Sequence, residues 1–158
     1  MTTARAKEPA LPGHLDHSRM AKLLGYHLAQ ASIPTTSLFK KHIGTVLQLN
    51  KLEFTILMLV SSNEDVTPKR LSVAMNIPAP NLTLILDRLE NRALLTRIRS
   101  EADRRVQHVK LTRKGLDLAR KADTLANTHE QELLSHLTEA ERGMLFELLT
   151  KVAIHRRV

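Results

Sequence analysis

Apolar residues recur along most of this chain at helical spacing, and the pattern changes to strand-like alternation in one place only. Leu15, Met20, Leu23, Leu24, His27, Leu28 and Ala31 share a broad stripe that predicts a helix from Leu15 to Ala31. Pro34 is expected to end it, and Leu38, Ile43, Val46 and Leu47 predict a second helix over Ser37 to Leu49. Asn50 followed by Glu53 reads as a capping box opening a helix from Lys51 to Ser61. Thr67-Pro68 pairs a capping hydroxyl with a proline at the first helical position, starting a short helix that ends near Met75-Asn76. After Pro78 and Pro80 comes a helix from Asn81 to Asn91, with Leu82, Ile85, Leu86 and Leu89 on one face. Two short alternating runs follow, Thr96 to Ser100 and Gln107 to Leu111, around a charged turn. Thr112 then caps a long helix reaching about His136, and Thr138 with Glu141 opens a last one.

The expected fold class is therefore mainly α with a small β-wing. A winged helix-turn-helix over 50–112 is flanked by helices over 15–49 and 113–158, all in one compact domain behind a loose tail at 1–14. The flanking helices carry more apolar surface than one small core needs. Such a surplus points to a second copy of the chain, joined through these outer helices as dimerisation elements.

Composition sharpens this picture in three ways. Aromatics are only 3% of the 158 residues, so the core must be aliphatic, which suits packed helices. There are 24 Lys and Arg against 16 Asp and Glu, a net charge of +8. Twelve of those cations and only five of the acids fall between Pro68 and Arg120, so the excess sits on the helix-turn-helix and wing. That distribution favours a polyanionic partner, and nucleic acid over a membrane surface. Cysteine is absent, which excludes disulfides, thiol catalysis and Cys-ligated zinc.

Catalytic signatures are missing as well: no glycine-rich phosphate loop, no G-x-S-x-G and no H-E-x-x-H. His14 and His17, or His129 and His136, lack an acidic or sulfur partner that would complete a metal site. The expectation is a binding protein that is not an enzyme, with no cofactor and no metal. No apolar run approaches a membrane span, and the amino terminus lacks the apolar stretch of a secretory signal, so the cytoplasm is the expected compartment.

From about Leu52 to Leu116 the chain resembles the MarR family of bacterial transcription regulators. VTPKRLSVAMN at 66–76 is similar to the first helix of that family's helix-turn-helix. LTLILDRLENRALLTR at 82–97 is similar to its recognition helix, Asp87-Arg88-Leu89-Glu90 most of all. EADRRVQHVKLTRKG at 101–115 is similar to its wing tip and return strand, through Asp103-Arg104-Arg105 and Leu111-Thr112-Arg113-Lys114-Gly115. The chain departs from the pattern in three places. The family often has Ser or Thr at the place of Pro80 and a cation at that of Leu84. Where it usually has Arg-Gly-Leu, this chain has Arg92-Ala93-Leu94. A left-handed helix end at Ala93 would cost roughly 1 kcal/mol, so a different termination is expected there.

A helix-turn-helix lays the amino-terminal part of its second helix against base edges in the major groove. Pro80, Asn81, Thr83, Leu84, Asp87 and Arg88 are the residues of that helix left on or near its polar side. Asn81 could bond adenine in a bidentate manner, and Thr83 or Leu84 could pack on a thymine methyl. The blander alternative is that Asn81 only caps the helix and Leu84 is core. Arg104 and Arg105 at the ribbon tip suit a narrow minor groove. By the resemblance, Asp103 pairs with a neighbouring arginine and holds the wing's shape. Lys69, Arg70, Arg97, Arg99, Lys110, Arg113 and Lys114 are candidates for phosphate contacts, which position without specifying.

The resemblance also implies a homodimer on a pseudo-palindromic double-stranded operator, and a pocket between dimerisation helices and winged helix for a small effector such as an aromatic acid. Arg19, Met20, Leu23, Tyr26, His27, Phe54 and Met58 are the candidate pocket residues. Arg19 would hold a carboxylate, and Tyr26 or His27 would orient a phenolic hydroxyl. The rival reading is an architectural or protein-interaction winged helix that binds DNA without sequence choice or effector.

Overall fold

A computed structural model describes Gly13, residues 15–99 and residues 106–155. Most of the expected tail and the turn with Asp103, Arg104 and Arg105 lie outside the described residues. The chain forms two compact units that divide between Thr35 and Thr36.

The first unit carries a 3-10 turn, Ser18–Met20, and most of helix α1, Leu24–Phe39. The expected helix from Leu15 is thus replaced by a turn and a later start. Pro34 does not break α1 but lies inside it. A proline inside a helix deletes one intrahelical bond and crowds the carbonyl four residues back, here that of Gln30. Here the Ser32 and Thr35 hydroxyls add bonds of 2.8 Å to the Ala29 and Ala31 carbonyls.

The second unit continues through a π-helical turn, Lys40–Gly44, and a short helix α2, Thr45–Leu47. One helix was expected over Ser37 to Leu49. The chain is instead rewound, and it ends on Gln48 at φ 53°. Glu132 meets Lys41 at 3.4 Å and His42 at 2.9 Å, tying this turn to the long helix described below. Then come α3 (Lys51–Ser61), α4 (Pro68–Met75) and α5 (Ala79–Asn91). Strands β1 (Leu95–Arg99) and β2 (Gln107–Leu111) pair antiparallel with Leu95 opposite Leu111 and Arg99 opposite Gln107. Helices α6 (Arg113–Leu133) and α7 (Glu139–Ile154) complete the unit.

The starts of these helices follow from local chemistry. Asn50 and Glu53 form the expected capping box, as do Thr138 and Glu141. The Thr67 and Thr112 hydroxyls accept from the Arg70 and Gly115 amides. Each such cap contributes about 1 kcal/mol. Thr138 donates its backbone N–H and hydroxyl to Glu141, which holds that carboxyl below its ordinary pKa.

One core unites α3, α4, α5 and the ribbon. Ile56, Leu57, Leu71, Leu82, Leu86, Leu89, Leu94, Leu95 and Val109 are almost fully buried. Burying each such side chain stabilises by roughly 1.5–3 kcal/mol, which is why the apolar stripes dictate which face turns inward. The Val66 carbonyl accepts from the Val109 amide at 2.8 Å, so the loop before α4 docks on β2 as a third edge. Helix α7 contrasts with this core. It has no buried residue, and Met144, Phe146, Leu148, Val152 and Ile154 are all exposed. Among the described residues no single helix is long and apolar enough to cross a membrane.

Candidate nucleic-acid interface

The geometry of α5 begins with the turn that precedes it. Asn76 takes φ 50°, one of the few left-handed positions that asparagine tolerates well. The Ile77 amide returns to the Ser72 carbonyl at 3.0 Å, and the Ser72 hydroxyl donates to the Ile77 carbonyl at 2.7 Å. This closed turn sets the angle at which α5 leaves α4.

Helix α5 starts at Ala79, two residues earlier than its periodicity predicts, with Pro80 in the first turn. A proline fits there because first-turn amides have no intrahelical acceptor to lose. The shift moves Asn81 inside the helix, where its side chain caps nothing. Leu84 is 63% exposed, so it is not core. Both bland alternatives fail for these two residues. Pro80, Asn81, Thr83, Leu84 and Arg88 are all exposed, opposite the buried Leu82, Ile85, Leu86 and Leu89. The Thr83 hydroxyl donates to the Ala79 carbonyl at 2.9 Å, so only its methyl is free to make apolar contact.

The far end of α5 is held from several sides. Ala93 does adopt the left-handed conformation, at φ 55°, contrary to expectation. The Ala93 amide reaches the Glu90 carbonyl at 2.8 Å and the Leu94 amide reaches Leu89 at 3.0 Å, closing a Schellman turn. Helix α6 then takes up the turn's own carbonyls. Lys114 Nζ donates to Arg92 at 2.9 Å, Thr112 Oγ1 to Ala93 at 2.7 Å, and the Thr112 amide to Leu94 at 3.1 Å. These bonds offset the strain of a Cβ at Ala93. Gly115 makes the approach possible, because a Cβ there would lie 1.8 Å from the Leu94 carbonyl oxygen.

Charge pairing separates the cations into two groups. Arg97, read from sequence as a phosphate contact, turns back onto α5. Its Nε donates to Glu90 at 3.0 Å and its Nη2 to Asp87 at 2.6 Å, leaving the side chain only 24% exposed. Hydrogen bonding to Glu90, and then to Asp87, raises the guanidinium above its ordinary pKa. Arg97 therefore braces β1 against α5. The buried Glu53 likewise lies 3.7 Å from Arg88 and 3.9 Å from Arg92, while Arg92 donates to the Gln48 and Leu47 carbonyls at 2.8 and 3.3 Å. Arg70 donates to the Asp65 carbonyl.

By contrast, Lys69, Arg99 and Lys110 are exposed, and their side chains have no partner among the described residues. Arg113 and Lys114 lie not at the ribbon's tip but just past its base, where Leu95 faces Leu111. Asp103, Arg104 and Arg105 fall outside the described residues. Sequence reading missed the bracing roles of Glu53, Glu90 and Arg92, for which the alternation of buried and exposed positions offers no signal.

The candidate effector residues divide between the two units. In the first, the Tyr26 hydroxyl hydrogen-bonds His17, and His27 Nε2 lies 2.8 Å from the Ala21 carbonyl. Arg19, Met20 and Leu23 are exposed there. In the second, Phe54 meets Phe39 edge-on at 5.5 Å, and Met58 borders a shallow hollow with Leu116 and Asp123.

Comparison with known proteins matches residues 47–106 to a model described as the MarR family. The chain is 27% identical over 138 residues to a putative transcriptional regulatory protein for the hcr operon of Thauera aromatica, covering 87% of this chain and 83% of that one. The structure of the transcriptional repressor CouR, bound to a 23-mer DNA duplex, superposes with a TM-score of 0.81. It is 32% identical, over 88% of this chain and 98% of CouR. A structure of Bordetella bronchiseptica BpsR, whose DNA binding is regulated by 6-hydroxynicotinic acid, gives a TM-score of 0.75. It is 25% identical, over 84% of this chain and 94% of BpsR.

Proposed function

Because this chain belongs to the MarR family of transcription regulators, we propose that it is a homodimeric, sequence-specific DNA-binding repressor, released from its operator by a small aromatic carboxylic acid. The observation that carries the DNA reading is the first part of α5. An exposed amide, an exposed methyl and an exposed Leu84 stand together on a helix whose other face is buried and whose far end is braced. Asn81 reads a base edge, Thr83 and Leu84 pack on thymine methyls, and Pro80 and Arg88 flank them.

Lys69, Arg70, Arg99 and Lys110 contact phosphates. Arg104 and Arg105 enter the minor groove, and Asp103 holds the wing's shape. The exposed apolar side chains of α7 support a dimer, whose two reading helices address half-sites about 34 Å apart. The aromatic-acid effector rests on likeness to BpsR, which is regulated by such a compound.

Fluorescence anisotropy tests the proposal, with the DNA upstream of the protein's own gene and a scrambled duplex at about 150 mM salt. The expected result is a preference of ~10³-fold or more for the genuine sequence. Equal affinity for both duplexes would overturn it in favour of an architectural role.

A further inference from the structure

Where the first half of α6 meets the end of α5 lies an open cleft of about 520 Å³. Its walls carry three cations, Arg113, Lys114 and Lys121, and one acid, Asp117, while the Arg92 guanidinium is turned to the Gln48 and Leu47 carbonyls. Asp117 is turned to Arg120 at 3.5 Å, while Arg113 and Lys121 have no partner among the described residues. The half-buried Leu118 supplies an apolar wall. Three like charges around one concavity repel each other unless an anion lies among them, and low-dielectric walls concentrate their field.

The place of the cleft argues against duplex DNA as its occupant. Arg92 is twelve residues beyond Pro80 on α5, roughly 18 Å along the helix axis from the reading end. Leu95, which begins the ribbon, is four residues short of Arg99, about 13 Å back along the strand.

We propose that this cleft is a binding site for a small multivalent anion, with Arg113, Lys114 and Lys121 as its charged contacts and Leu118 packing its apolar body. The charge balance of the lining favours at least two negative charges, as a phosphate ester or a polycarboxylate carries. An anion there competes with the Arg92 carbonyl for Lys114, one of the bonds that hold the Ala93 turn. This site is independent of the DNA-reading surface and of the aromatic-acid effector.

Calorimetric titration of the full-length protein tests it, with pyrophosphate in one arm and benzene-1,3,5-tricarboxylate in the other. Ionic strength is matched with sodium chloride, and each arm is repeated on Lys121→Gln. Saturable binding in at least one arm, weakened tenfold or more by Lys121→Gln with DNA affinity unchanged, is the expected result. The arm that binds identifies phosphate or carboxylate as the preferred group. No binding in either arm, or equal binding by the variant, would overturn the site. A Lys121→Gln variant that loses DNA affinity and flattens its salt dependence would overturn it too, by assigning the cleft to the DNA backbone.

Discussion

The two ends of α5 are built to opposite rules. Between Ala79 and Leu84 the outward side chains bond at most to their own helix, and a large apolar residue stands in solvent. Between Asp87 and Leu94 polar groups are taken up repeatedly: Asp87 and Glu90 by Arg97, Arg92 by the carbonyls of Gln48 and Leu47, and the turn's own carbonyls by Thr112 and Lys114. A helix that must enter a groove needs unsatisfied groups where it meets bases and a rigid anchor where it meets its own protein. Precision at the free end comes from immobility at the tied end.

Four substitutions test that contrast. Gly115→Ala would push a methyl into the Leu94 carbonyl, and the whole anchor would have to shift. A loss of about 3 kcal/mol in urea unfolding is expected, and a change under 1 kcal/mol would mean that α6 and the turn are not closely held. Asn81→Ala should do the reverse. Operator affinity falls by about 1–3 kcal/mol while the unfolding midpoint stays in place, and anisotropy beside a melting curve separates the two effects.

Arg97→Ala leaves Asp87 and Glu90 without their cation. Roughly 1–2 kcal/mol of stability is lost, and DNA affinity weakens with no change in its salt slope, since Arg97 neutralises no phosphate in this arrangement. A flatter slope would place Arg97 on the DNA instead. The smallest effect is expected of Ala93→Gly, which removes the left-handed strain but adds freedom to the unfolded chain. A net gain of about 0.5–1 kcal/mol should appear as a higher melting temperature.

Much of the winged helix is legible in the sequence, and the reason lies in the range of the forces involved. A cap joins residues three apart, so Asn50 with Glu53 and Thr138 with Glu141 announce their helices in the sequence itself. The stripe of Leu82, Ile85, Leu86 and Leu89 shows its buried face for the same reason. The errors occur where a local preference was outvoted. Pro34 should have ended a helix, and α1 continues through it. Arg97 should have faced phosphate, yet two acids on the neighbouring helix claim it.

Ala93 shows the division most plainly. Read locally, an alanine resists the left-handed conformation, and another termination was the sound expectation. In the folded protein three groups of α6, some twenty residues on, bond to that turn, and a glycine at 115 admits them. Short-range spacing was enough to decide where most helices and strands form and which faces they bury. Which cations remain free, and which brace the fold, depended on partners far along the chain, because charge and hydrogen bonding act through space, whatever the separation in sequence.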